Sequence, residues 1–145
     1  MDFENSVDLL NQLLVIHYRS LPMYLTDATP WTHHGDEKAV EVLTDIVADN
    51  RSTCQKLAQA VQQRGGILVE GEYPTEFTGM NFLSLDYLLS QSIKLQQGDI
   101  QTIEAIAERL WNDPPAQALA KEALGAAKGH LQSLQELVGE LSGTA

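Results

Sequence analysis

The chain has 145 residues, 43% of them apolar, with 9 Lys and Arg against 20 Asp and Glu and a formal charge of -11. That length suits one domain, residues 1–145, with a real core, and the acidity sets the surface against nucleic acid and anionic lipid. No apolar run approaches the ~20 residues of a bilayer span, the acidic start Met1-Asp2-Phe3-Glu4-Asn5 lacks the basic residues of a secretory leader, and the lone Cys54 permits no intrachain disulfide, which together favour a reducing, cytoplasmic setting.

A first helix is expected to start after Asn5 or Ser6, both good N-caps. Its stripe runs Leu10, Leu13, Leu14, His17, Leu21, Tyr24, Leu25 at spacings of three and four. Pro22 removes a backbone donor inside that stripe and predicts a kink or loosening there. Thr29 to Gly35 breaks the pattern and reads as a loop. A second helix begins near Asp36, with acidic residues where the helix dipole favours them, and carries Val40, Leu43, Ile46, Val47, Asn50, Thr53, Cys54, Leu57 and Val61. Arg64-Gly65-Gly66 ends it.

Residues 65–81 form the longest irregular stretch, yet Ile67, Leu68, Val69, Tyr73 and Phe77 are too apolar for a loose linker and predict a segment packed along a bundle. So long a connection is expected when the helices that it joins run in the same direction. A third helix from Asn81 or Ser84 carries Leu85, Leu88, Leu89, Ser92, Gln96, Ile100, Ile103, Ala107 and Leu110, with an expected interruption at Gly98-Asp99. Asp113-Pro114 is an N-cap followed by proline at the first helical position, opening a fourth helix striped with Leu119, Ala123, Leu124, Ala127, His130, Leu131, Leu134, Leu137, Val138 and Leu141. No run alternates strongly enough to predict a sheet.

Each stripe is broken near its middle by polar residues: His17, then Asn50 with Thr53, then Ser92 with Gln96, then His130. Four helices turning polar groups toward one level of a shared core is the construction of a dinuclear carboxylate bundle, yet none of these six residues is a carboxylate.

Local residues carry a resemblance. Leu10-Asn11-Gln12-Leu13-Leu14, followed by His17, resembles the first helix of the bacterioferritins, which reads Leu-Asn-Glu-Leu-Leu and has a ligand Glu where His17 stands. Lys56-Leu57, Val61 and Gly65-Gly66 resemble the end of that family's second helix, whose Glu-x-x-His would fall on Asn50 and Thr53. Gly129-His130-Leu131 with Leu134 resembles the fourth, where the family's Glu would be Ala127. Between Ser90 and Lys94 the third helix offers no carboxylate. The resemblance implies an all-α, ferritin-like four-helix bundle with a long crossover between the second and third helices, a degenerate di-iron site, and a homodimer formed through the first two helices.

Two hard cations need about four carboxylates and two histidines, so no ferroxidase or oxygenase activity and no cofactor are expected. The expected role is structural or interactive. One alternative is a single Zn, Cu or Fe ion on His17 and His130 beside the vestigial positions Asn50, Thr53, Ser92 and Ala127; another is a small ligand in the room that Ala127 and Ser92 leave in the core. Otherwise these polar groups would hydrogen-bond one another or a buried water. Trp31-Thr32-His33-His34-Gly35-Asp36-Glu37 reads as a solvated loop, Cys54 as an inert core thiol, and Gly65-Gly66 lacks the helix and lysine of a phosphate loop.

Overall fold

A computed structural model describes residues 3–28, 37–78 and 85–143, with side chains over 5–25, 37–78 and 87–140. It contains helices α1 (Phe3–Tyr18), α2 (Leu21–Ala28), α3 (Glu37–Gln63), α4 (Leu85–Arg109) and α5 (Pro114–Gly143), and a 3-10 turn at Thr75–Phe77. No strand occurs among the described residues.

The expected first helix is two helices. Its chain stops at Tyr18, passes Arg19 and Ser20, and restarts at Leu21. Pro22 explains the break, since its ring excludes the carbonyl one turn earlier and it has no N–H to offer. Ser6 is no N-cap either: helix α1 already runs from Phe3, and Ser6 is buried. Gly98-Asp99 does not interrupt α4, because a single glycine costs a helix only about 1 kcal/mol and the flanking turns are anchored by Leu89 and Ile103 in the core.

Helix α3 ends as its glycines require. Gly65 takes φ +73°, its N–H donates to Gln62 O at 3.0 Å, and Gly66 N–H donates to Val61 O at 3.0 Å. These paired bonds form a Schellman cap, in which the left-handed residue is at C′.

Four long helices are arranged up, down, down, up. Arg64 pairs with Asp113, Lys56 with Glu122, Asp49 with His130 and Lys38 with Glu140, so residue numbers rise along α3 as they fall along α5. Gln117 to Ala107 and Gln96 to Ala127 give the same antiparallel relation for α4 and α5. Helices α3 and α4 are therefore parallel, and the chain between them must travel back along the bundle, as its length predicts.

It returns along one edge of α1. Asn11 donates to Ile67 O at 3.0 Å and accepts from Val69 N–H at 2.9 Å, and Arg19 Nε donates to the carbonyls of Glu70 and Gly71. A methyl on Gly66 would lie 2.6 Å from Val7 Cγ1, and one on Gly71 2.9 Å from Val15 Cγ1. Val7, Asn11, Val15 and Arg19 form one row at spacing four. They cover about 18 Å of chain at helical rise, and the five extended steps from Gly66 to Gly71 cover about 17 Å. This explains why apolar content did not translate into burial. The backbone and Leu68 face α1, whereas Ile67 is 85% exposed and Val69 51%. Tyr73 and Phe77 do pack, against Tyr24 of α2 with ring centroids 5.1 and 5.7 Å away.

The core is in two parts. One end of the bundle holds Leu9, Leu10, Leu13, Leu57, Val61, Ile103 and Leu110. The other holds Leu43, Ile46, Leu89, Leu134 and Leu137, flanked by Leu21, Leu25, Leu88 and Phe77. Val40, expected on the buried stripe of α3, is exposed instead; Ala39 takes its place, because the stripe shifts by one residue at the helix start.

Candidate functional site

The boundary between the two apolar clusters is where the polar interruptions fall. On α1, His17 lies between Leu14 and Leu21; on α3, Asn50 lies between Ile46 and Cys54; on α4, Ser92 and Gln96 lie between Leu89 and Ile103; on α5, His130 lies between Ala127 and Leu134. His17, Asn50, Ser92 and His130 are buried. The result is a polar layer across a bundle that is apolar above and below.

Contacts between helices tie the layer together unevenly. Gln96 Nε2 donates to Ala127 O at 3.0 Å, an approach that the small Ala127 side chain allows. Asn50 Nδ2 reaches Ser20 Oγ only at 3.4 Å, long for a hydrogen bond. His130 Nε2 and Asp49 Oδ2 are 2.9 Å apart, joining α5 to α3. His17 Nδ1 lies 2.8 Å from Leu13 O, its own carbonyl one turn back. Ser92 Oγ is buried with no hydrogen-bond partner among the described residues.

Burial lowers the pKa of His17, and nearby His130 lowers it further, against the raising effect of its bond to Leu13. The imidazole therefore prefers its neutral form. A carbonyl can only accept, so Nδ1 carries the proton and Nε2 is left with a lone pair. Thr53 does not join the layer. It is half-buried and lines a shallow groove between α3 and α5 with Lys56 and Glu122. Cys54 is buried one turn beyond Asn50, and burial pushes its thiol up to about 11, so the nucleophilic thiolate is scarce at neutral pH.

Two participants were invisible in the stripes. Asp49 is mostly exposed and precedes Asn50, so nothing in the apolar period marks it; only its reach to His130 brings it in. Ser20 sits in the break before Pro22, a position assigned to helix in the sequence reading. His33 and His34 lie outside the described residues, as do Trp31 and Asp36 of the same loop. Among the described residues, no group of three or more His, Cys, Asp or Glu side chains is disposed to hold a metal ion.

The outer face of the α1–α3 pair carries a cleft of about 420 Å³ lined by Tyr18, Met23, Arg51, Cys54, Leu68 and Glu70. No helix among the described residues is long and apolar enough to cross a membrane.

No protein-family model matches the chain, and no curated protein matches its sequence. Its fold is similar to that of a solved structure, the bacterioferritin-related protein from Bacteroides fragilis, described as a dodecameric thioferritin in the bacterial domain. It superposes with a TM-score of 0.78 over 99% of this chain and 90% of that one, at 18% identity. The helix order, the parallel α3 and α4, the crossover and this superposition agree: the chain has the ferritin-like helical-bundle fold.

Proposed function

We propose that this chain is a non-catalytic, ferritin-like scaffold that acts through assembly and protein contacts rather than through di-iron chemistry. The observation that carries the reading is the make-up of the polar layer. Its described side chains are His17, Asn50, Ser92, Gln96 and His130, with Ala127 where the resemblance would have a glutamate. Asp49 is the carboxylate in contact with them, and it sits at the rim with most of its side chain in solvent. Four positive charges from two hard cations would meet neutral donors in an apolar core, which is strongly unfavourable without compensating carboxylates. The residues present do not fit a di-iron centre.

Assembly is the other half of the reading. The similar Bacteroides protein is described as dodecameric. A homodimer through α1 and α3 is the proposed first unit, with Tyr18, Met23 and Leu68 around the outer cleft as its apolar contacts.

Two measurements test the proposal. Iron(II) mixed with the full chain in air is expected to oxidise no faster than in buffer. Sedimentation equilibrium is expected to give a mass of at least twice the 16.0 kDa of one chain. Catalysed iron(II) oxidation, or a monomer at working concentration, would sink the scaffold reading.

A further inference from the structure

The crossover along α1 is bonded on one edge and open on the other. Asn11 serves the inner edge: its side-chain amide donates to Ile67 O at 3.0 Å, and its side-chain carbonyl accepts from Val69 N–H at 2.9 Å. In an extended chain the N–H and C=O of one residue point to the same edge, and those of its neighbours to the other. Ile67 O and Val69 N–H face α1, so the N–H and C=O of Leu68 face outward. Among the described residues neither of these groups has a hydrogen-bond partner. The Leu68 side chain lines the outer cleft with Cys54 of α3 and packs on the core. Ile67 and Val69 are left 85% and 51% exposed. Natural proteins blunt such edges with charge, proline or a bulge. Ile67-Leu68-Val69 carries neither charge nor proline, and two of its three residues are β-branched.

We propose that this edge pairs with the same edge of a second copy, as a short antiparallel ladder whose two-fold axis lies at Leu68. Each Leu68 N–H donates to the Leu68 carbonyl of the other copy. The occupant is a second copy because the segment is its own complement. Ile67 and Val69 flank Leu68, so a two-fold there sets Ile67 of one copy opposite Val69 of the other, twice, and covers both exposed apolar side chains at once. Charge selects the register. The next outward-facing residue is Glu70, and a two-fold centred on it would set Glu70 against Glu70, which is unfavourable. Centred on Leu68, Glu70 lies opposite Gly66. Gly66 N–H is already spent on Val61 O, which ends the ladder there. So short a ladder needs apolar support, and Leu68 continues into the cleft where Tyr18 and Met23 supply it. The proposal rests on the dimer of the scaffold reading and names the contact that aligns it.

The test is register-specific cross-linking of the full chain carrying Cys54→Ser, with Ile67→Cys and Val69→Cys made separately. Positions 67 and 69 of opposite copies would have Cα atoms about 4.5 Å apart, within disulfide range. Like positions would be diagonal neighbours at roughly 7–8 Å, outside it. The two variants, mixed, allowed to exchange subunits and mildly oxidised, are expected to give a disulfide-linked dimer, and each variant alone should stay unlinked. In the chain without cysteine substitutions at 67 or 69, the Leu68 amide should exchange its hydrogen about tenfold or more slowly in the dimer than after dilution to monomer. Ile67→Lys with Val69→Lys, both at exposed positions, should weaken association about tenfold or more without loss of helix content. A dimer whose mixed variants link no more than either variant alone overturns the ladder and leaves the scaffold reading standing. So does a Leu68 amide that exchanges at the monomer rate, or a lysine variant that associates as the parent does. If the lysine variant fails to fold, cross-linking and exchange still decide. A parent chain that is monomeric at working concentration ends both readings, whereas catalysed iron oxidation ends only the non-catalytic one.

Discussion

Two groups of polar side chains in the bundle, the Arg64–Asp113 clamp and the mid-bundle layer, are built differently. At the end where α3 meets α5, Arg64 and Asp113 form a two-pronged pair at 2.8 and 2.7 Å. Arg64 also donates to Ala60 O at 2.9 Å, and Asp113 is bonded by Ser6 and caps α5 through Ala116 N–H at 3.4 Å. Each guanidinium nitrogen and each carboxylate oxygen of this clamp has a partner. In the polar layer, by contrast, one buried hydroxyl has no partner among the described residues and one amide bond is stretched to 3.4 Å. A fully satisfied cluster fixes helices against one another, whereas a half-satisfied one is tolerated only for another reason. The contrast assigns helix fixation to the clamp and leaves the layer as the loosely bonded part of the core.

Breaking the clamp should have the largest effect. Asp113→Ala leaves the Arg64 guanidinium, 9% exposed as a side chain, without its carboxylate and removes the α5 cap. A loss of about 3–5 kcal/mol is expected in urea unfolding. The clamp also predicts an acid transition. The hydrogen bond from Arg64 holds Asp113 down to about 2 from 3.8. A carboxyl whose folded pKa is depressed contributes stability that is present above its unfolded pKa and is lost as pH falls through the folded one. About 2 kcal/mol should disappear between roughly pH 4 and pH 2. Unfolding curves that coincide for parent and Asp113→Asn at pH 7 would show that the clamp holds nothing.

Asp99 offers the opposite sign, one turn beyond Gln96 on α4. Burial pushes its carboxyl up to about 6 from 3.8. Its stabilising neutral form is present below 3.8 and is lost as pH rises through 6. Asp99→Asn should therefore stabilise the protein at pH 8 by about 1–2 kcal/mol, less than the full shift because the group is partly solvated, and should change little at pH 3.5. A flat difference across that range would remove Asp99 from the list of strained groups.

How much of this was legible follows from the range of the interactions. Helix stripes, the proline break near Pro22, the α5 start at Asp113-Pro114 and the glycine end of α3 are local, and residues a few positions apart declare them. The shared direction of α3 and α4 was legible because a long apolar connection has few other uses. The level of the polar layer followed from four interruptions at matching depth. Arg64 with Asp113 was not legible, because 49 residues separate them and each had a sufficient local role, one in the end of α3 and one as the cap of α5. Asp49 was hidden by its exposure. The packing of the crossover on Val7, Asn11, Val15 and Arg19 was hidden because half of that row is polar or charged and no apolar period marks it.

Ser92→Ala sharpens the contrast from the side of the layer. It removes an unsatisfied hydroxyl and improves helix propensity, so a gain of about 1 kcal/mol is expected. The same truncation at a satisfied buried hydroxyl costs stability. A loss would mean that Ser92 is already bonded, and the layer would then resemble the clamp.

The smallest effect comes from the same pair of helices as the largest. Lys56 and Glu122 join α3 to α5 at 2.6 Å, two turns from Arg64, but each side chain is at least half exposed. Exposed partners gain little from each other because water screens them and both long side chains lose freedom. A double-mutant cycle on Lys56→Met and Glu122→Met should give a coupling under about 0.5 kcal/mol that fades with salt. The corresponding cycle on Arg64 and Asp113 should give a coupling several times larger and resist salt, since those charges are out of reach of counterions. If the two cycles returned similar energies, burial would not be what distinguishes the clamp. The division of the core into a tightly bonded end and a loosely bonded middle would then have to rest on the orphaned Ser92 hydroxyl alone.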